Sequence, residues 1–208
     1  MLRLGYMSVD NSAGVATPLA GVVLAAGAGR RYGACKQLLP VDGQPMVVRA
    51  LRLAAPLCDA GVVVVTGASQ ADMVAAVAGE PARCVYNPAW REGMGASLRQ
   101  GVLAVADKTA AILVLLADQA ALTAVDVERL EQAWRAEPER PAASECGGRA
   151  GVPAIFPPDW RAHLLALHGD TGARRLLADA DPVTVAMRNA ASDIDTPEDY
   201  QRLLGAES

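Results

Sequence analysis

Four consecutive valines, Val62 to Val65, constrain the fold of this chain more than any other feature. A strand with one wet face alternates apolar and polar residues. An unbroken β-branched run belongs instead to a strand buried on both faces, the habit of mostly parallel sheets covered by helices above and below. The surrounding rhythm agrees. Leu19 to Leu24 and Ala110 to Leu116 read as further buried strands, and Cys84 to Tyr86 as a short one. Helix-like segments separate them: Pro45 to Ala54, Ser69 to Ala78 with Ser69 as its cap, Gly95 to Ala106, and Asp126 to Arg135. Such alternation specifies an α/β fold with helices on both faces of the sheet. Ligands on such sheets bind beyond the carboxyl ends of the strands, so the loops after Leu24 and Leu116 can converge on one site.

The rhythm changes after Glu137. Pro138 and Pro141 break the helix, and Gly147 to Pro158 is rich in glycine and proline, so residues 137–182 are expected to form a smaller substrate-facing lobe. Pro158 to Leu167 and Thr171 to Ala178 read as short helices, Val183 to Ala186 as a returning strand, and Pro197 as the start of a last helix capped by Thr196. At 208 residues the length suits one domain, expected over residues 18–208. Residues 1–17 read as a disordered N-terminal extension without a signal-peptide core, and Met7 as an alternative start.

The loop after the first strand carries the chemistry. Gly27-Ala28-Gly29-Arg30-Arg31-Tyr32-Gly33-Ala34-Cys35-Lys36 combines glycines, which let backbone N–H groups approach a ligand, with cations suited to a phosphate chain. It is not a Walker loop, because Gly33 is followed by Ala34 and Cys35 rather than Lys and Ser or Thr. It is not a dinucleotide fingerprint either, since Gly33 comes one residue late for the third glycine. No acidic residue closes the second strand at Thr66-Gly67 to hold a ribose, which disfavours a nicotinamide-dependent oxidoreductase. Two acidic positions answer the loop. Asp118 follows the buried Ala110–Leu116 strand, and Asp195 precedes the cap of the last helix. Two carboxylates brought together from distant sequence can share Mg²⁺ with a triphosphate.

Other residue types exclude alternatives. A net charge of −4 lacks the basic face of a nucleic-acid binder. No apolar run reaches the roughly 18 residues of a membrane span, so a cytoplasmic protein is expected. Cys35, Cys58, Cys84 and Cys146 are too scattered for zinc or a disulfide framework, and Cys35 reads as a small residue fitting the turn. His163 and His168 have no metal-ligand spacing, and Trp90, Trp134 and Trp160 read as packing residues. In Gly169-Asp170-Thr171-Gly172, Asp170 or Thr171 is expected to cap a helix whose N-terminus could hold an anion.

Leu24, Gly27, Gly29, Arg31, Gly33 and Lys36 fill the pattern Leu-x-x-Gly-x-Gly-x-Arg-x-Gly…Lys, which resembles the signature of the NTP-transferase superfamily. Leu116-Ala117-Asp118-Gln119 and Asp193-Ile194-Asp195-Thr196-Pro197-Glu198-Asp199-Tyr200 narrow the resemblance to the MobA/MocA-type branch, which holds the molybdenum cofactor cytidylyl- and guanylyltransferases. Asn87–Leu98, Gly151–Phe156 and His168–Arg174 look like the cytidylyltransferase side. So does Ala25-Ala26, because the guanylyl type usually has glycine at the second place. One departure stands at Ala120, where the family usually has proline.

The resemblance implies a three-layer Rossmann-like nucleotidyltransferase fold and transfer of CMP from CTP to the phosphate of molybdopterin or Mo-molybdopterin, with Mg²⁺ as cofactor. By matching position, Leu24, Ala25, Ala26, Gly27, Gly29, Arg31, Lys36, Gly93 and Ser97 should bind the nucleotide, with Arg31 and Lys36 catalytic. Asp118 and Asp195 should hold the metal. Arg149, Gly151, Pro153, Gly169, Asp170, Gly172 and Arg174 should receive the pterin. A molybdenum hydroxylase or its accessory protein is the implied partner. Two alternatives stay open: another phosphate acceptor (methylerythritol phosphate or a sugar phosphate), and a non-catalytic cofactor accessory protein.

Overall fold

In a computed structural model, the structure describes residues 16–29, 32–191, 194 and 196–206. The expectations for the N-terminal extension up to residue 15, and for Arg31, Asp193 and Asp195, fall outside the described residues.

The chain opens with β1 (Leu19–Ala25), then a small hairpin of β2 (Pro40–Val41) and β3 (Gln44–Pro45) leading into α1 (Met46–Ala54). β4 (Val62–Thr66), α2 (Gln70–Ala76), β5 (Ala82–Tyr86), α3 (Met94–Ala104), β6 (Ala111–Leu116) and α4 (Ala124–Ala136) follow. β7 (Ala142–Cys146), β8 (Arg149–Phe156), α5 (Arg161–Leu165), α6 (Ala173–Ala178), β9 (Val183–Ala186) and α7 (Pro197–Ala206) complete the order. Seven strands form one sheet in the order β5-β4-β1-β6-β8-β7-β9. β5, β4, β1 and β6 run parallel; β8 is antiparallel to both its neighbours, and β7 pairs parallel with β9.

The valine run sits where its composition requires. Val62 and Val64 point into one core cluster and Val63 and Val65 into the other. β6 divides in the same way, Leu113 and Leu115 to one side and Ile112 and Val114 to the other. The first cluster lies under α1 and α4, with Leu51, Leu130 and Trp134 fully buried. The second lies under α3, α5 and α6. These are the three layers. α3 comes very close to the sheet, and a Cβ on Gly101 would stand 2.5 Å from Val22 and 2.9 Å from Val65. The missing side chain at Gly101 permits that approach.

Several local expectations change. Residues 137–182, expected as a smaller lobe, contribute β7 and β8 to the main sheet, and their Ala142, Ala143, Ala154, Ile155 and Phe156 belong to the two cores already named. Pro153 lies inside β8, a place strands usually deny proline. The register explains it. Ala143 pairs with Ala154 and Ser144 with Gly151, so a bulge leaves Val152 and Pro153 without partners on β7, and the β6 ladder ends at Ala154. Ser69 stands at the start of α2 but its side chain makes no capping bond. α6 begins after Gly172, so neither Asp170 nor Thr171 caps it. Thr196 does cap α7: its hydroxyl accepts from Asp199 N–H at 3.2 Å, and Asp199 accepts from Thr196 N–H at 2.8 Å.

Candidate active site

A cavity of about 540 Å³ opens at the carboxyl ends of β1 and β6. Its lining includes Leu24, Ala26, Gly27, Gly29 and Lys36 from the first loop, Asp118 from the loop after β6, Gly93 and Ser97 at the start of α3, and Asp170. Nine of the residues singled out by sequence therefore meet in one space. Ala25 does not; it is buried in the core beneath. Gly29 has φ +58°, and a Cβ there would collide with the carbonyl of Ala34. Its own carbonyl accepts from the N–H groups of both Tyr32 and Gly33 at 2.9 Å, which folds the loop back toward Lys36.

Lys36 Nζ lies 2.8 Å from Asp118 Oδ2, and both side chains are largely buried. The second carboxylate oxygen, Oδ1, is buried with no hydrogen-bond partner among the described residues. An orphaned anionic oxygen beside a phosphate-sized cavity suits a hard divalent cation. The donor set is partial: among the described residues no group of three or more His, Cys, Asp or Glu side chains could hold a metal. Ile194 N–H donates to the carbonyl of Asp118 at 3.3 Å, so the residue preceding Asp195 in the chain is tied to the Asp118 loop.

That loop is fastened from several sides. Gln119, 6% exposed, donates from Nε2 to the carbonyls of Val152 and Ala190, each at 2.8 Å. Arg49 donates to the carbonyl of Ala120 at 3.2 Å. These bonds supply restraint where the family's proline is missing. Val152 is one of the two residues the bulge leaves without a partner on β7.

On the other side of the cavity, Ser97 accepts a hydrogen bond from Asn87 Nδ2 at 3.0 Å, both side chains buried. Gly93, with φ +122°, packs against Gly169 and Asp170 so closely that a Cβ would collide with both, and Gly95 N–H donates to the Gly169 carbonyl at 2.9 Å. The Gly169–Gly172 turn is thus clamped onto the start of α3. Arg174 lies over β8, its guanidinium 3.8 Å from where a Cβ on Gly151 would stand. Arg149, exposed at the tip of the β7–β8 hairpin, and Gly151, Pro153, Gly172 and Arg174 do not line the cavity. They lie beside it, on β8, on the Gly169–Gly172 turn and, for Arg174, on α6.

Sequence reasoning passed over four contributors. Trp90 and Arg91 line the cavity, with the Arg91 guanidinium 4.3 Å above the Trp90 ring, so Trp90 is more than a packing residue. Gln37, 4% exposed, donates to the Gly27 carbonyl at 3.4 Å and accepts from the Cys35 thiol at 3.3 Å, which fits the reading of Cys35 as part of the turn. Asn87 is the fourth. It directly follows β5, and the rule that ligands gather beyond parallel strand ends was signal enough to find it. Trp134 and Trp160 are packing residues as expected, Trp134 fully buried and Trp160 against Phe156 with ring centroids 6.1 Å apart. Cys58 is inert: burial first, then the charges of Asp59 and Glu131, push its thiol up to about 12. No helix among the described residues is long and apolar enough to cross a membrane.

Comparison with known proteins gives the family. Residues 21–184 match the family described as MobA-like NTP transferase domain. The chain is 34% identical over 197 residues to nicotine blue oxidoreductase of Paenarthrobacter nicotinovorans, covering 88% of this chain and 95% of that one. It is 32% identical over 206 residues to the purine catabolism protein PucB of Bacillus subtilis, covering 91% and 98%. Among solved structures it is similar to Rv0371c of Mycobacterium tuberculosis, at a TM-score of 0.78 and 28% identity over 92% of this chain and 100% of that one. The same protein is also known in complex with manganese, at a TM-score of 0.75 and 26% identity over 91% and 100%. The chain belongs to the MobA-like NTP transferase family and is a nucleotidyltransferase of its α/β fold.

Proposed function

We propose that this nucleotidyltransferase moves CMP from CTP to the terminal phosphate of molybdopterin or Mo-molybdopterin, releasing pyrophosphate. The observation that carries the reading is the single cavity in which the glycine loop and Lys36 lie at one side of Asp118 and Ser97 at the other. The phosphate chain would lie along Gly27–Lys36, with Arg31 adding charge, and the base at Gly93 and Ser97. A pterin phosphate is already anionic at neutral pH, so its oxygen can attack the α-phosphorus in line without a strong general base. Catalysis then consists of holding the two reactants in line and offsetting charge on the α-phosphate and the departing pyrophosphate, the task of Lys36. Asp118 and Asp195 would hold Mg²⁺. When bound, the ion neutralises phosphate charge and orients the α-phosphate.

Two features support the choice of substrates. The methyl group of Ala26 lines the cavity where the family's guanylyl branch has glycine, which suits a pyrimidine. Gly67 packs onto Ala26, with its Cβ position 2.9 Å from that methyl, so the floor there cannot recede for a purine. Arg149, Gly151, Pro153, Gly169, Asp170, Gly172 and Arg174 stand beside the same edge and are the proposed acceptor site. A cytoplasmic location and delivery to a molybdenum hydroxylase go with this reading.

The test is pyrophosphate release by purified protein with a divalent ion and each of CTP, GTP and ATP, with and without molybdenum cofactor. Release that needs the cofactor and prefers CTP is expected. Release with a sugar phosphate or methylerythritol phosphate instead would move the acceptor. A second reading has one specific observation behind it, the oxidoreductase named among the relatives. Turnover of a reduced nicotinamide without any pyrophosphate release would favour it. Against it, β4 ends at Thr66-Gly67, where no carboxylate stands to hold a ribose.

A further inference from the structure

Asn87 is 2% exposed, and both ends of its side-chain amide are hydrogen-bonded. Its backbone N–H donates to the Thr66 carbonyl at 2.9 Å, its Oδ1 accepts from Ala89 N–H at 3.0 Å, and its Nδ2 donates to Ser97 Oγ at 3.0 Å. A backbone N–H can only donate, so the oxygen of the amide must face Ala89 and its NH₂ must face Ser97. Turned round, the amide would set its NH₂ against the Ala89 N–H, donor against donor, and lose that bond. Ser97 Oγ is therefore committed as an acceptor, and its single proton needs an acceptor of its own. Among the described residues none receives it. Ser97 is nevertheless 5% exposed and lines the cavity. A buried hydroxyl whose proton has no protein partner is costly unless a ligand supplies the missing acceptor.

We propose that Asn87 is a positioning residue for base recognition. By occupying the acceptor side of Ser97 it aims the Ser97 proton at the nucleobase, and so selects a base edge that carries a lone pair, such as cytosine N3 or O2. A base presenting an N–H there would set donor against donor. The inference rests on the reading that this cavity takes CTP, and it adds a residue that never needs to touch the base.

The experiment compares the binding of CTP with that of ribose 5-triphosphate, the same ligand without its base, by calorimetry on the full chain. Asn87→Asp keeps an oxygen for Ala89 N–H but turns an acceptor toward Ser97, which then donates into the protein. Its preference for CTP over ribose 5-triphosphate is expected to fall about tenfold or more, the cost of a lost buried hydrogen bond, with ribose 5-triphosphate affinity unchanged. Ser97→Ala should lose the same preference, and the double variant should lose no more than either single one. An Asn87→Asp protein that keeps the wild-type preference overturns the proposal, as does one that loses both ligands equally. If Asn87→Asp fails to fold, Ser97→Ala decides, and an unchanged preference there overturns the proposal. Wild-type protein that binds neither ligand contradicts the nucleotide reading itself, and the inference falls with it.

Discussion

The two halves of the sheet are built by different rules and serve different ends. β5, β4, β1 and β6 are parallel, and three of them, β4 up to Val65, β1 and β6, are unbroken runs without a polar side chain. Their carboxyl ends deliver the loops that carry Lys36, Asp118 and Asn87. β8, β7 and β9 mix directions and contain a bulge and a proline; β8 presents Arg149, and α6 above it Arg174, beside the cavity rather than in it. A parallel half places every loop at one edge with little freedom, which suits in-line chemistry. The hairpin half can vary in length and charge without disturbing that edge, which suits the recognition of a second substrate. The join between them is Gln119, which takes the Val152 carbonyl from the bulge and the Ala190 carbonyl from the turn before α7.

Substitutions can break the comparison at several strengths. The largest effect is expected in the parallel half. Lys36→Ala or Asp118→Ala should lower turnover by about a hundredfold or more, the usual cost of removing a group that stabilises transition-state charge, in protein that still folds by circular dichroism. Chelation of divalent ions should do the same to the wild type. Near-normal turnover in either variant would remove the nucleotide site from this edge.

The next contrast is between two glycines. Gly101→Val would press a side chain into Val22 and Val65, and should cost about 1–3 kcal/mol by denaturant unfolding, an overpacking penalty. Gly151→Ala in β8 meets Arg174 only at 3.8 Å and should change stability by less than about 0.5 kcal/mol, raising only the acceptor KM. Equal stability losses would deny that the two halves are packed differently. Arg174→Ala should raise the acceptor KM about tenfold, the loss of one charge-assisted contact, and leave CTP binding unchanged. A fall in CTP affinity instead would bring Arg174 into the nucleotide site.

The smallest effect concerns α4, which packs against β7, β8 and β9. Thr123 and Asp126 form a capping box at its start, and Asn189 donates to Asp126 at 2.9 Å. Burial pushes the Asp126 carboxyl upward, but the hydrogen bonds from Asn189 and Thr123, with the nearby charge of Arg129, outweigh it and hold the group below its ordinary value. A folded-state pKa depressed in this way adds stability that is present above the unfolded value of about 3.9 and is lost as pH falls through the folded value. Asp126→Asn should therefore flatten the fall in stability below about pH 4, and Thr123→Ala should cost about 1 kcal/mol at neutral pH. An acid profile identical to wild type in Asp126→Asn would show that this carboxylate is not one the fold depends on.

The same division explains what could be read from sequence. β1, β4 and β6 declared themselves because burial on both faces leaves unbroken apolar runs, and Val183–Ala186 was found to the residue. β7 and β8 did not. Ala142-Ala143-Ser144-Glu145-Cys146 is too small and mixed to show a period, and Pro153 argues against a strand unless a bulge frees its position from the ladder, which only the pairing reveals. Lys36 and Asp118 were legible because charge beside glycine and after a buried strand is conspicuous. Gln37 and Gln119 were not, because a neutral amide acquires its meaning only from the carbonyl or hydroxyl it meets across the fold; Asn87 had only its place after β5 to mark it.

The central claim is that the edge of the parallel half holds the nucleotide, phosphates at Lys36 and Asp118 and base at Ser97. A crystal structure with a non-hydrolysable CTP analogue and manganese tests it most directly. The account predicts anomalous manganese density on the Asp118 carboxylate, the phosphate chain along Gly27–Lys36 and the cytosine within hydrogen-bond reach of Ser97. Nucleotide or manganese bound along the β7–β8 hairpin, with the Lys36–Asp118 pair left as it is, would contradict it.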